Sequence, residues 1–188
     1  MAVYAENQIK LTYEDYRLLP DDGKRHEIID GRHYVSPSPN THHQSVSSWI
    51  EYYLMREIEH AGTGRVFHAP MDVELNEVSI VQPDIIVVAG SRREIIAPSR
   101  IIGVPDLLVE ILSPANPTQD TKLKLNLYEQ VGVPEYWIVF PDARVVRRYI
   151  LSGSRYDEGA VYDTSIEYSA GDMHVTIDLA EVWRRAEV

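Results

Sequence analysis

Hydrophobic and polar positions along the chain change period several times, and each change predicts an element. Leu11 precedes Thr12, with Asp15 three residues on; this capping-box spacing predicts a short helix, closed by Pro20 and the Asp-Asp-Gly that follows. The run RHEIIDGRHYV sets Asp30-Gly31 between two strand-like segments, the strongest short-range hairpin signal. Beyond the SPSPNT loop, Val46, Trp49, Ile50, Tyr53 and Leu54 recur at helical spacing and predict a one-faced helix from Gln44 to His60, ended by Gly62. RVFHAPMDVEL and VSIVQPDIIVVAG predict two strands around a turn near Asn76. The unbroken Ile85-Ile86-Val87-Val88 predicts a strand buried on both faces, and PDLLVEIL predicts a second.

Asn116, Pro117 and Gln119 fit the cap, first-turn and third-turn positions of a further helix running to Gly132, and EYWIVF predicts the strand after it. RVVRRYIL, IEYSA and MHVTI predict an antiparallel extension, and DLAEVWRRAEV a closing helix. The order is that of an α/β (α+β) protein: a mixed sheet flanked by helices, with a strand-rich tail. With no repeat or linker, and 44% hydrophobic content, residues 1–188 read as one domain with its own core.

Composition narrows the chemistry. The chain holds no run apolar enough to cross a bilayer, and its first residues lack the basic-then-apolar pattern of a signal peptide, so the expectation is a cytoplasmic protein that engages no membrane. Without cysteine, disulfides, thiolate metal sites and cysteine nucleophiles are excluded, which leaves carboxylates and histidines as metal ligands. Lys and Arg number 18 against 29 Asp and Glu, and the net charge of -11 argues against a protein that coats nucleic acid electrostatically. Nucleic acid as a substrate stays open, because SRREIIAPSR or RVVRRY could form a local basic patch; as solvated faces they would carry no such role.

Glu110 stands inside the run Leu107-Leu108-Val109-Glu110-Ile111-Leu112, where an unpaired carboxylate must protonate, find a cation or bind a metal. Asp84 stands at the entrance to the equally apolar run from Ile85. If the two strands are neighbours, the acids meet, and either one of them holds its proton or both share a divalent ion, for which Mg2+ or Mn2+ fits oxygen ligands best. The alternative is a pair of buried acids bonded to backbone amides or an arginine. On the helix from Pro117 to Val131, about 100° per residue places Leu123, Leu127 and Val131 on the inward arc with Lys124 and Tyr128 at its shoulder. Lys124 can then lean toward Glu110 or lay its stem on the core with its head in water, whereas Lys122 points to solvent.

RHEIIDG, HHQ, VQPDIIVV, PDLLVEILSP, DTKLKLNLY and GVPEYWIV together resemble the Uma-two-type restriction endonuclease family, a branch of the PD-(D/E)xK nuclease superfamily. The resemblance runs from about Leu11 to Phe140. It implies a restriction-endonuclease-like fold and a metal-dependent endonuclease that hydrolyses DNA and leaves 5'-phosphate ends. Asp84 and Glu110 would be the metal ligands. The superfamily lysine usually follows the acid by two residues, a position held here by Leu112; in this branch it has moved to the next helix, and Lys124 matches it. Glu27 matches the acid of the first hairpin and His43 the histidine opening the long helix. Glu27 could otherwise form an exposed hairpin ion pair, and His43 could simply cap its helix. His26, His33, His60, His68 and His174 lack metal-ligand spacing. A homodimer is compatible with this reading, as is an inactive nuclease fold kept as a binding or regulatory module.

Overall fold

The computed structural model describes residues 9–36, 38–112 and 119–187. Helix α1 (Tyr13–Tyr16) leads to the hairpin β1 (Arg25–Ile29) and β2 (Arg32–Ser36), and α2 (Thr41–Leu54) follows. Four strands come next: β3 (Gly64–His68), β4 (Val73–Asn76), β5 (Ser79–Val81) and β6 (Ile85–Ala89). After β7 (Ile101–Ile102) and β8 (Leu107–Ile111), the chain forms α3 (Leu125–Val131) and β9 (Glu135–Phe140). The rest is β10 (Val145–Ser152), β11 (Arg155–Tyr156), β12 (Ala160–Tyr162), β13 (Ser165–Ala170), β14 (Met173–Asp178) and α4 (Leu179–Ala186).

Local chemistry explains the boundaries. Asp15 accepts from the backbone N–H of Thr12 at 2.8 Å and from its hydroxyl at 3.0 Å, the reciprocal half of the capping box. Asp30 and Gly31 both take positive φ, 50° and 77°, as a two-residue hairpin turn requires. Gly31 has a second reason to be glycine, since an added Cβ would lie 2.5 Å from the Cβ of Lys10. Helix α2 starts at Thr41, earlier than the hydrophobic spacing alone indicates, because Asn40 caps it by accepting from the His43 N–H at 2.8 Å.

Two expected strands are each broken in the fold. RVFHAPMDVEL becomes β3 and β4, and VSIVQPDIIVVAG becomes β5 and β6. Proline at 70 and at 83 lacks the N–H a central ladder needs, so the chain leaves one sheet and enters another at each break. Among the described residues, one sheet has the order β2-β1-β5-β4-β7, a larger one runs β11-β10-β9-β8-β6-β3 with β12 beside β10, and β13 pairs with β14 separately. The larger sheet is mixed: β8 and β9 are parallel, while β6 runs antiparallel to β8.

Both faces of this sheet are covered, which is why β6 and β8 read as continuous apolar runs. On one face Ile85, Val87, Leu107, Val109 and Ile111 meet α2, α4 and the β13–β14 hairpin. On the other, Ile86, Val88, Leu108 and Leu112 meet α3 and the smaller sheet. The expected antiparallel extension is therefore only partly right. β10 does extend the sheet, but β13 and β14 fold back over α2's side of the core.

The expected cap and first turn at Asn116 and Pro117 lie outside the described residues. From Gln119 to Lys124 the chain forms a π-helical turn before α3, and Gly132 ends that helix at φ 84°. The wider turn corrects one expectation. Leu123 is 37% exposed and does not belong to the inward arc, which is formed by Lys124, Leu127 and Tyr128. Bonding from i to i+5 adds a residue to the turn, so the 100° spacing fails there. Lys122 is exposed, as that spacing anticipates.

Candidate active site

The antiparallel register of β6 and β8, with Ile85 opposite Val109, brings Asp84 to the end of β8. There Asp84 Oδ2 accepts the Ile111 N–H at 2.8 Å and lies 3.1 Å from His43 Nε2. Its other oxygen accepts from Arg25 Nη1 at 2.6 Å. Burial alone would raise the Asp84 pKa; the hydrogen bond from His43 and the charge of Arg25 outweigh it and hold the carboxyl below its ordinary range. Asp84 is thus an ionised acid inside the protein. With ionised Asp84 as acceptor, His43 Nε2 is the donor, and His43 Nδ1 is buried without a hydrogen-bond partner among the described residues.

Glu110 shares a face of β8 with Leu108 and Leu112 and alternates with Val109 and Ile111, so its side chain faces α3. Lys124 Nζ donates to Glu110 Oε1 at 2.8 Å and lies 2.9 Å from Glu27 Oε1. Tyr128, one turn further along α3, donates its hydroxyl to Glu110 Oε1 at 2.8 Å. Burial, followed by the charge of Glu110, raises the Tyr128 pKa far above the ordinary tyrosine value, so the phenol keeps its proton and remains a donor. Glu27 is 2% exposed, Glu110 3% and Lys124 3%, which excludes the exposed ion pair for Glu27 and the snorkelling side chain for Lys124. Glu27 Oε1 also accepts the backbone N–H of Gln82 at 2.8 Å, two residues before Asp84.

All five residues singled out from the sequence therefore come together: Asp84, Glu110, Lys124, Glu27 and His43. His43 does not cap α2 with its ring; Asn40 does that with its side chain, and the imidazole reaches Asp84. Arg25 was missed. Its signal was present in the period of β1, where Arg25, Glu27 and Ile29 alternate with His26 and Ile28, so an inward Glu27 carries Arg25 inward with it. Four of the other histidines have local roles: His26 stacks on His33 at 5.1 Å, His68 bonds Glu51 and His174 bonds Ser169. Three arginines of the arginine-rich stretches pair locally. Arg92 pairs with Asp106, Arg100 with Glu74 and Arg148 with Glu135.

Among the described residues, no three histidine or acidic side chains are grouped to hold an ion alone. The donor chemistry nevertheless fits one. Mg2+ takes one or two protein carboxylates and completes its shell with water and substrate phosphate, and Asp84 is an ionised carboxylate on the strand beside Glu110. Asp84 and Glu110 are the residues that could hold such an ion.

Comparison with known proteins agrees with this architecture. A crystal structure described as a "putative nuclease belonging to DUF820" from Anabaena variabilis matches with a TM-score of 0.75 at 20% identity, covering 94% of this chain and 99% of that one. At that identity the likeness shows the fold. No curated protein matches the chain. No helix among the described residues is long and apolar enough to cross a membrane. The model of the family described as "Putative restriction endonuclease" matches residues 13–173, and the chain belongs to this family, Uma2.

Proposed function

We propose that the protein is a divalent-metal-dependent endonuclease that hydrolyses phosphodiester bonds in DNA. The observation that carries this reading is that Glu27 and Glu110 share the single ammonium of Lys124 while Asp84, one strand away, is kept ionised by His43 and Arg25. Membership of a restriction endonuclease family supports nucleic acid as the substrate.

Asp84 and Glu110 would hold a Mg2+ or Mn2+ ion, which when bound lowers the pKa of a water and offsets charge on the phosphate. Lys124, fixed between two carboxylates, keeps its proton-rich head beside the acids and offers a positive charge to the attacking water or to the oxygen that gains charge. Tyr128 locks Glu110 in place by donating to the oxygen that Lys124 also uses. His43 orients Asp84 through Nε2 and keeps Nδ1 unpartnered among the described residues, able to steer a water. Glu27 holds Lys124 from the opposite side.

A binding module with a silent site is the second reading. It is favoured by one feature: Asp84 and Glu110 each already bond a side-chain cation. Incubating the purified protein with duplex, single-stranded and branched DNA, in Mg2+, Mn2+ or chelator, separates the two. Metal-dependent cleavage with 5'-phosphate products supports the nuclease; binding with no cleavage of any DNA form overturns it.

A further inference from the structure

We propose that Arg25 is the residue that grips a non-bridging oxygen of the substrate phosphate, releasing Asp84 to do so. This inference rests on the nuclease reading above and assigns the site its phosphate contact. Of the lysine and arginine side chains that the described residues place on the site's acids, Lys124 is enclosed at 3% exposure, with a carboxylate on each side. The Arg25 side chain keeps 20% of its surface accessible. Arg25 is therefore the more accessible of the two to a substrate arriving from solvent.

The hydrogen-bond inventory points the same way. A guanidinium carries five N–H donors in a planar fork suited to phosphate. Among the described residues Arg25 uses one of them, Nη1, on Asp84 Oδ1 at 2.6 Å. Asp84 has other support, since its Oδ2 keeps the Ile111 N–H at 2.8 Å and His43 Nε2 at 3.1 Å when Oδ1 is given up. Arg25 can therefore exchange partners without loosening the acid it leaves. A protein of net charge -11 with three acids in its site also needs a cation at the mouth to receive a phosphodiester. Three arginines of the arginine-rich stretches, Arg92, Arg100 and Arg148, are committed elsewhere, to Asp106, Glu74 and Glu135.

The test uses the full chain with Arg25→Gln and Arg25→Lys. DNA affinity is read by fluorescence anisotropy in Ca2+ across a salt series, and Mn2+ affinity by calorimetry without DNA. For Arg25→Gln, DNA binding should weaken about tenfold or more, as for loss of a charge-assisted hydrogen bond. The slope of log affinity against log salt should shrink by about 0.7–0.9, one phosphate contact. Mn2+ affinity should hold or rise, because a competitor for Asp84 has gone. Arg25→Lys keeps the charge and should keep the salt slope while losing the fork, with affinity a few-fold weaker. An unchanged salt slope in Arg25→Gln together with weakened Mn2+ binding overturns the proposal, since Arg25 would then only hold Asp84. Should Arg25→Gln not fold, full wild-type DNA affinity in Arg25→Lys overturns it equally. If the wild-type protein binds Mn2+ and cleaves DNA in either failing case, the nuclease reading stands; if it does neither, that reading falls and takes the Arg25 assignment with it.

Discussion

Pro83-Asp84 and Pro105-Asp106 each lead into a buried strand, β6 and β8, and because those strands run antiparallel the two aspartates lie at opposite ends of the same pair. At the Asp106 end, Asp106 accepts the Ala89 N–H at 2.8 Å and pairs with Arg92 at 3.1 Å. Glu135, opposite Leu107 on β9, accepts from Trp137 Nε1 at 2.6 Å and pairs with Arg148 at 2.7 Å. Each acid there has one arginine. At the Asp84 end, among the described residues, Asp84 pairs with Arg25 and His43, while Glu27 and Glu110 both meet Lys124. Burial alone does not separate a structural acid from a working one. On the proposed reading charge stoichiometry does: a matched pair is complete, whereas two carboxylates on one ammonium would leave room for another cation.

The strongest way to break this comparison is to neutralise the two aspartates in turn. Asp84→Asn should lower DNA cleavage by about a thousandfold or more, as expected when an electrostatic stabiliser and a metal ligand go together. Asp106→Asn should stay within a few-fold of wild-type cleavage and instead cost about 1–3 kcal/mol of stability, because Arg92 is left half-buried without its partner. Comparable losses of cleavage in both variants would erase the distinction between the ends.

Next in size is the displaced lysine. Lys124→Ala should reduce cleavage about a hundredfold while Mn2+ affinity stays near wild type, and Lys122→Ala, on the exposed side of the same helix, should change neither. Loss of cleavage in Lys122→Ala with retention in Lys124→Ala would contradict the geometry at α3.

Stability sharpens the comparison further. Arg148→Ala leaves buried Glu135 without its arginine and should cost about 1–3 kcal/mol in urea unfolding. Glu110→Gln leaves Lys124 with Glu27 and should cost about 1 kcal/mol or less. A larger loss for Glu110→Gln would mean that the acids at the site are matched as tightly as those at the far end.

The smallest effect concerns acid. Asp84 is held below its ordinary value of 3.8, so its ionised form stabilises the fold above that value and the contribution fades as pH falls through the lower folded value. Glu135 shifts the other way, its burial outweighing the bonds from Trp137 and Arg148, so its contribution weakens as pH rises from the ordinary 4.5 toward the raised value. Asp84→Asn should flatten the acid limb of a thermal-stability profile, and Glu135→Gln should not. Identical acid limbs in the wild type and Asp84→Asn would refute the first assignment.

Much of this is legible in the sequence. Asp30-Gly31 marks its hairpin because few residues accept two successive positive φ values. The acid inside an apolar run demanded a partner, and Lys124 and Tyr128 supply it. What stayed hidden was non-local. The division of two long strands between two sheets follows from proline at 70 and 83, yet which sheet each half joins is set by packing. The π turn before α3 moved Leu123 outward, and no periodicity argument anticipates an added residue. The backbone donors of Gln82 and Ile111, which seat Glu27 and Asp84, carry no side-chain signature at all.

The central claim, that surplus carboxylate at one end of the sheet makes a cation site while matched pairs at the other do not, is tested most directly by calorimetric titration of Mn2+ into the wild type, Asp84→Asn and Asp106→Asn. The account predicts binding by the wild type and Asp106→Asn and its loss in Asp84→Asn. Equal binding by Asp84→Asn, or its loss in Asp106→Asn, would contradict it.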